Sequence, residues 1–103
     1  GVFEAVKAAG AMAIGVDSDQ ALTADDSVAD SIITSMLKNI DVAVYTYLEK
    51  IEKGEDAAGP QVYDLKSDGV GYSTTGGKID DITAQLDELK QQIIDGSIEV
   101  PVK

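Results

Sequence analysis

The sequence has no cysteine and no histidine. Their absence excludes the usual zinc sites, thiol chemistry, and both Ser-His-Asp and Cys-His catalysis. Lack of cysteine permits an oxidising compartment without requiring one. Basic residues are also scarce: 8 Lys and Arg stand against 19 Asp and Glu, for a net charge of −11 and a pI near 4.1. That balance argues against nucleic acid and anionic membrane surfaces as partners, since both require a basic face. Solubility alone can account for the acidity. No apolar run approaches the roughly 18 residues of a membrane span. Neither a signal peptide nor an internal repeat is visible.

What is present suits one small domain at most: 103 residues, 44% of them hydrophobic, with mean hydropathy near zero. A packed core is feasible and general disorder is not expected. The chain opens at Gly1-Val2-Phe3-Glu4, without an initiator Met and already in a helical pattern. That start is the one expected of a piece of a longer chain, so the missing targeting signal carries little weight.

Along the chain, residues 2–9 read as a short helix with Phe3 and Val6 on one face and Gly10 as its stop. Residues 11–16, "AMAIGV", lack a helical period and read as a strand buried on both sides. The stretch 17–30 holds five Asp and no base, so it is a loop or the acidic entry to a helix. Residues 31–53 admit two readings. A single long helix is supported by Ala29, Ile33, Met36, Ile40, Val44, Tyr47 and Ile51 at helical spacing. The preferred reading splits the segment into a β-branched strand, 31–37, and a helix, 39–53, begun by Asn39 and ended by Gly54. Residues 54–61 are a loop. Two short strands, 62–65 and 70–72, flank a turn at 67–69. A loop at 73–78 precedes a helix over 79–94, marked by Ile79, Ile82, Leu86, Leu89 and Ile93. The segment 97–103 leaves extended. The order α-β-β-α-β-β-α is that of an α/β protein with a mostly parallel sheet.

The segment "AIGVDSDQ", residues 13–20, raises the functional question. Two carboxylates, Asp17 and Asp19, follow directly on an apolar strand. In open α/β sheets, ligands bind beyond the carboxyl ends of the strands. Asp17 lies at one such end and Lys38 at the next, so an acceptor and a donor would share one crevice. The plainer alternative is a turn-capping Asp17 and a solvated Lys38. A calcium loop is a poor match, because Ala21 stands where a third acid is needed and the central Gly is absent. A magnesium-assisted aspartyl nucleophile of the haloacid-dehalogenase type has the D-x-D but lacks the following Thr or Val. The Gly-rich 69–77 stretch lacks the full phosphate-loop pattern. Tyr45 and Tyr47 read as packing or surface contact.

Five segments together carry a resemblance: "GVFEAVKAAG", "AIGVDSDQ", "IITSMLKNIDVAVYTYL", "YDLKSDGVGYS" and "QQIIDGSIEVP". In order and spacing they resemble the C-terminal part of the basic membrane protein family. These are bacterial substrate-binding lipoproteins of ABC transporters, of the purine nucleoside receptor type. The segment "ALTADDSVADS" departs from the pattern.

The resemblance implies the C-terminal portion of a type I periplasmic-binding fold. In that fold a three-layer, mostly parallel sheet forms each of two lobes, which are joined by crossing strands and close on a nucleoside. No catalytic activity and no cofactor are implied. Asp17 falls where the family accepts hydrogen bonds from ribose hydroxyls, Lys38 where a lysine reaches the cleft, and Gly1 at the end of a Gly-rich cleft loop. Lys38 would compensate a buried charge on Asp17, and Asp19 would satisfy backbone N–H groups in the turn. Base-stacking aromatics would lie in the N-terminal part, with Phe3 and the tyrosines read as packing. Further implications are ABC permease subunits as partners and an N-terminal lipid anchor on the extracellular or periplasmic face. Without its N-terminal remainder, the chain would pair with that remainder, associate with a copy of itself, or be marginally stable. A ligand-sensing module of the same fold is the near alternative.

Overall fold

Residues 31–53 divide at Lys38, as the β-branched run Ile32-Ile33-Thr34 favours. In this computed structural model, which describes residues 1–101, β2 spans Ile32–Lys38 and a helix spans Ile40–Glu52. The single-helix alternative fails because the first half finds strand partners on both sides. Strand β1, Ala13–Asp17, runs parallel to β2 from Ala13↔Ile32 to Asp17↔Leu37. Strand β3, Val70–Tyr72, runs antiparallel to it through Met36↔Tyr72 and Lys38↔Val70. The sheet is therefore mixed, in the order β1-β2-β3. An antiparallel edge strand on a parallel sheet is a common arrangement.

Helix α1, Val2–Ala8, precedes β1. Gly10 takes φ +65°, which lets its own N–H reach Lys7 O at 3.0 Å while Ala11 N–H reaches Val6 O at 3.0 Å. These bonds satisfy two carbonyls that the helix end leaves open. The acidic 17–30 stretch is not a plain loop. It forms two single-turn helices, α2 over Gln20–Thr23 and α3 over Asp26–Ala29. Asp25 starts α3 by accepting from Ser27 N–H at 2.8 Å, and Val28 is buried.

The long helix Ile40–Glu52 is α4. Asn39 occupies its N-cap position, but its side chain makes no cap bond there. Its Nδ2 donates instead to Asp68 O at 2.7 Å and its backbone N–H to Gly69 O at 2.9 Å, tying β2 to the turn before β3.

The strand expected over 62–65 does not form. Asp64 turns its carboxylate back onto the Lys66 and Ser67 N–H groups at 3.0 and 3.1 Å, which closes a turn. Val62 is left 82% exposed. The last helix, α5, spans Thr83–Asp95 and starts later than the periodicity suggests. Gly76 and Gly77, both at positive φ, make a 3-10 turn over Thr75–Gly77 that carries the chain inward. Ile79 is thus buried before the helix begins. After Gly96 the backbone is irregular to residue 101; the remainder of the expected extended exit, Val102 and Lys103, lies outside the described residues. No helix among the described residues is long and apolar enough to cross a membrane.

Among the described residues the buried apolar side chains are Val28, Ile32 and Ile79. Ile14, Val16, Val44, Leu48 and Ile51 are exposed. The accessible surface is 7335 Å², against roughly 5,500 Å² for a folded monomer of this mass. The radius of gyration, 16.6 Å, likewise exceeds the roughly 13 Å usual for such a length. Strand β1 has no partner on its outer edge among the described residues. With so few buried side chains, each counts. Ile32, 1% exposed, should cost about 2–5 kcal/mol on truncation to Ala. Denaturant unfolding of the two proteins checks this, and an unchanged midpoint would show that Ile32 is not core.

Candidate functional site

Strand β1 ends in an unusual turn. Asp17 has φ +72°, and Ser18 N–H closes back onto Val16 O at 3.0 Å. Asp and Asn tolerate this region better than other L-residues. The parallel register sets Asp17 beside Leu37, with Lys38 one residue further at the end of β2. Lys38 Nζ lies 2.8 Å from Asp17 Oδ1. The two residues that the sequence places at adjacent strand ends are therefore in direct contact. Their side chains are exposed, Asp17 by 62% and Lys38 by 55%. The expectation of a buried charge is not met in this chain. An exposed pair of this kind contributes no more than about 1 kcal/mol. One carboxylate oxygen is used by the pair, and the other takes no hydrogen bond among the described residues. The arrangement can accept hydroxyl donors and can offer an ammonium beside them.

Asp19 serves a different purpose from the one its sequence position suggests. Its Oδ2 accepts from Ser73 Oγ at 2.6 Å and from Thr75 Oγ1 at 2.5 Å. Oδ1 is buried without a partner of hydrogen-bonding geometry among the described residues. The Ser73 hydroxyl first, and the Thr75 hydroxyl next, hold the Asp19 carboxyl below its ordinary range, against an opposing desolvation; the Ala21 N–H contributes least. The main partners are thus side-chain hydroxyls 54 and 56 residues further along the chain, not the turn's own backbone.

A carboxyl with a lowered folded pKa stabilises above its unfolded value of about 3.9, and that contribution is lost as pH falls through the lower folded value. The stability advantage of wild type over Asp19→Asn should therefore be full near pH 6 and shrink on acidification below about pH 4. Thermal melts at stepped pH test this; a gap independent of pH would refute it.

Gln20 and Ser35 complete the turn's surroundings. Val16 N–H donates to Gln20 Oε1 at 2.8 Å, and Gln20 N–H donates to Ser35 Oγ at 3.1 Å. These residues, with Ser73 and Thr75, were not singled out by sequence reasoning. The Ser-Thr-Thr cluster at 73–75 was a visible signal, but nothing local connects it to Asp19.

Other candidates fall away from the pair. Gly1 is the N-cap of α1, and its ammonium group is held by Glu4. Tyr45 is exposed rather than packed. Lys78, which follows the Gly-rich stretch, is engaged by the Asp30 backbone and carboxylate. Asp17 and Asp19 turn to different partners, and among the described residues no three carboxylates converge as a metal site would need.

The model of the Bmp family, "ABC transporter substrate-binding protein PnrA-like", matches residues 1–103. The chain belongs to this family. Two curated relatives, each described as a CD4+ T-cell-stimulating antigen, come from Listeria monocytogenes and Listeria innocua. Both are 37% identical over 97 residues, covering 87% of this chain and 27% of their own. Among solved structures, an ABC transporter system solute-binding protein from Aeropyrum pernix K1 superposes with a TM-score of 0.69 at 28% identity. It covers 99% of this chain and 37% of its own. A transcriptional activator of the comK gene from Bacillus halodurans superposes with a TM-score of 0.76 at 24% identity, over 98% of this chain and 34% of its own. That likeness is one of fold. The Bmp chain spans about a quarter of the length of the curated relatives it matches. Its mixed α/β fold is that of solute-binding proteins.

Proposed function

We propose that this Bmp chain is the C-terminal part of a two-lobed ABC-transporter substrate-binding protein, and that the whole protein captures a purine nucleoside for uptake. The observation that carries the reading is the Asp17–Lys38 contact at the carboxyl ends of two parallel strands, in a chain of this family. Ligands of open α/β sheets bind at such ends. Asp17 would accept two vicinal ribose hydroxyls, and Lys38 would hold the carboxylate charged and donate to the same ligand.

The exposed apolar residues of β1 and α4 are consistent with further chain packing over them. The N-terminal remainder would supply that cover, together with the surfaces that grip the base. In this reading the protein works by lobe closure rather than by a reaction. It delivers its ligand to permease subunits and is held by an N-terminal lipid at the outer face of the cell membrane.

Calorimetry on the full-length protein with inosine, adenosine and guanosine tests the assignment. Saturable binding of at least one is expected. No heat with any of the three would reject a purine nucleoside as the ligand, and would leave the family intact.

A further inference from the structure

Asp17 is one of two non-glycine residues at positive φ among the described residues, the other being Asp68. Its turn, closed by Ser18 N–H onto Val16 O, is of the strained three-residue kind. Such strain persists only where the surroundings over-determine it. The exposed Lys38 contact is too weak to do so. We propose that Asp19 and Gln20 are positioning residues that hold this strained turn, so that the Asp17 carboxylate is aimed at Lys38 before any ligand arrives.

Two clamps act on the turn from opposite sides. On the strand side, the Gln20 side chain takes the Val16 N–H while the Gln20 N–H is held by Ser35 Oγ. Ser35 is fully buried in β2, the strand that ends in Lys38. The fit is close: a Cβ added to Gly15 would lie 2.4 Å from Ser35 Oγ and 3.0 Å from Gln20. On the far side, Asp19 is gripped by Ser73 and Thr75. Ser73 is itself mounted on β2. Its N–H donates to Ser35 O at 2.9 Å, and its carbonyl accepts from Thr34 Oγ1 at 2.6 Å.

Both clamps therefore refer the Asp17 turn to β2. The carboxylate and the ammonium of the candidate site are both located by β2, although they belong to different strands. A ligand meeting that pair does not have to order it, because the ordering cost is met on folding and is not subtracted from binding. The inference about ligand rests on the nucleoside reading above; the inference about the turn does not.

The ligand-free test is a stability cycle on the full-length protein. Glycine relieves strain at positive φ and alanine does not. Asp17→Gly should melt above Asp17→Ala, by roughly 2–4 °C. In an Asp19→Ala or Gln20→Ala background the turn relaxes, and that gap should fall by at least half. Thr75→Val removes one of the Asp19 donors and serves if Asp19→Ala does not fold. No gap at position 17, or a gap that neither background reduces, overturns the proposal.

A second arm measures inosine and 2′,3′-dideoxyinosine by calorimetry. Asp19→Ala should weaken inosine about tenfold, leave the dideoxy compound unchanged, and add nothing once Asp17 is Ala. Equal weakening of both compounds, or additivity with Asp17→Ala, also overturns it. No nucleoside binding together with a collapsing Gly–Ala gap would remove the nucleoside reading and keep the positioning role.

Discussion

Asp17→Ala in the full-length protein is expected to weaken purine nucleoside binding about 30-fold or more. A hydrogen bond to a charged group contributes roughly 1.5–3 kcal/mol, and 2 kcal/mol is about 30-fold in Kd. The truncation removes an acceptor that can serve two vicinal hydroxyls, and it leaves Lys38, otherwise 2.8 Å away, without its counter-charge. Asp17→Asn separates these effects. Asn also tolerates φ +72°, so it keeps the turn while losing the charge, and its loss should be smaller than that of Ala. Calorimetry with wild type and both variants side by side provides the measurement. Unchanged affinity in Asp17→Ala would discard the site while leaving the family membership untouched.

Gly69→Ala should be the most destabilising of the glycine substitutions. A Cβ at this position would lie 2.4 Å from Tyr63 Cβ, 2.6 Å from Tyr63 C and 2.8 Å from Tyr63 Cα. Two of these are backbone atoms, which cannot rotate away. Nor can the turn move as a unit. Gly69 N–H donates to Asp64 O at 2.9 Å, and Gly69 O accepts from Asn39 N–H at 2.9 Å. Relieving the overlap stretches one bond or the other. Overpacking costs typically 1–3 kcal/mol, and a lost backbone bond at a buried position adds to it, so about 3 kcal/mol is expected. Gly15→Ala meets Ser35 Oγ at 2.4 Å and Gln20 at 3.0 Å, all side-chain atoms; turning the hydroxyl away gives up the Gln20 N–H bond but moves no backbone, so its cost should be smaller. Denaturant midpoints of the two variants rank them; Gly69→Ala with a wild-type midpoint would show that the turn before β3 is loose.

Both predictions concern places where different kinds of information meet. Asp17 and Lys38 were visible in the sequence because each closes an apolar, β-branched or small-residue run, and the end of such a run is the carboxyl end of a strand. Their contact needed only the parallel register of two strands, which the βαβ-like order of the chain already favours. The burial expected of the Asp17 charge is not met. It depends on what covers the strand ends, and that is a property of tertiary packing. The strand expected over 62–65 failed for a similar reason. Alternation in "VYDL" fits a strand, but Asp64 found backbone donors three residues on before any partner strand was available. The late start of α5 reflects burial of Ile79 ahead of a helix whose periodic pattern nominally includes it.

By itself the sequence determined much of the local structure, which rests on interactions within a few residues, but it left residues 31–53 with two readings that strand pairing decided. The β-branched run became β2, Gly10 and Gly54 ended their helices at positive φ, and the lack of histidine and cysteine removed whole classes of chemistry. The family resemblance read from five segments agreed with the family match over residues 1–103. Only the tertiary structure decided what Asp19 does. Its partners Ser73 and Thr75 lie 54 and 56 residues away. A carboxylate in a chain with 19 acids carries no local mark of such partners, since a hydrogen bond depends on where atoms meet and not on how far apart they lie in the chain.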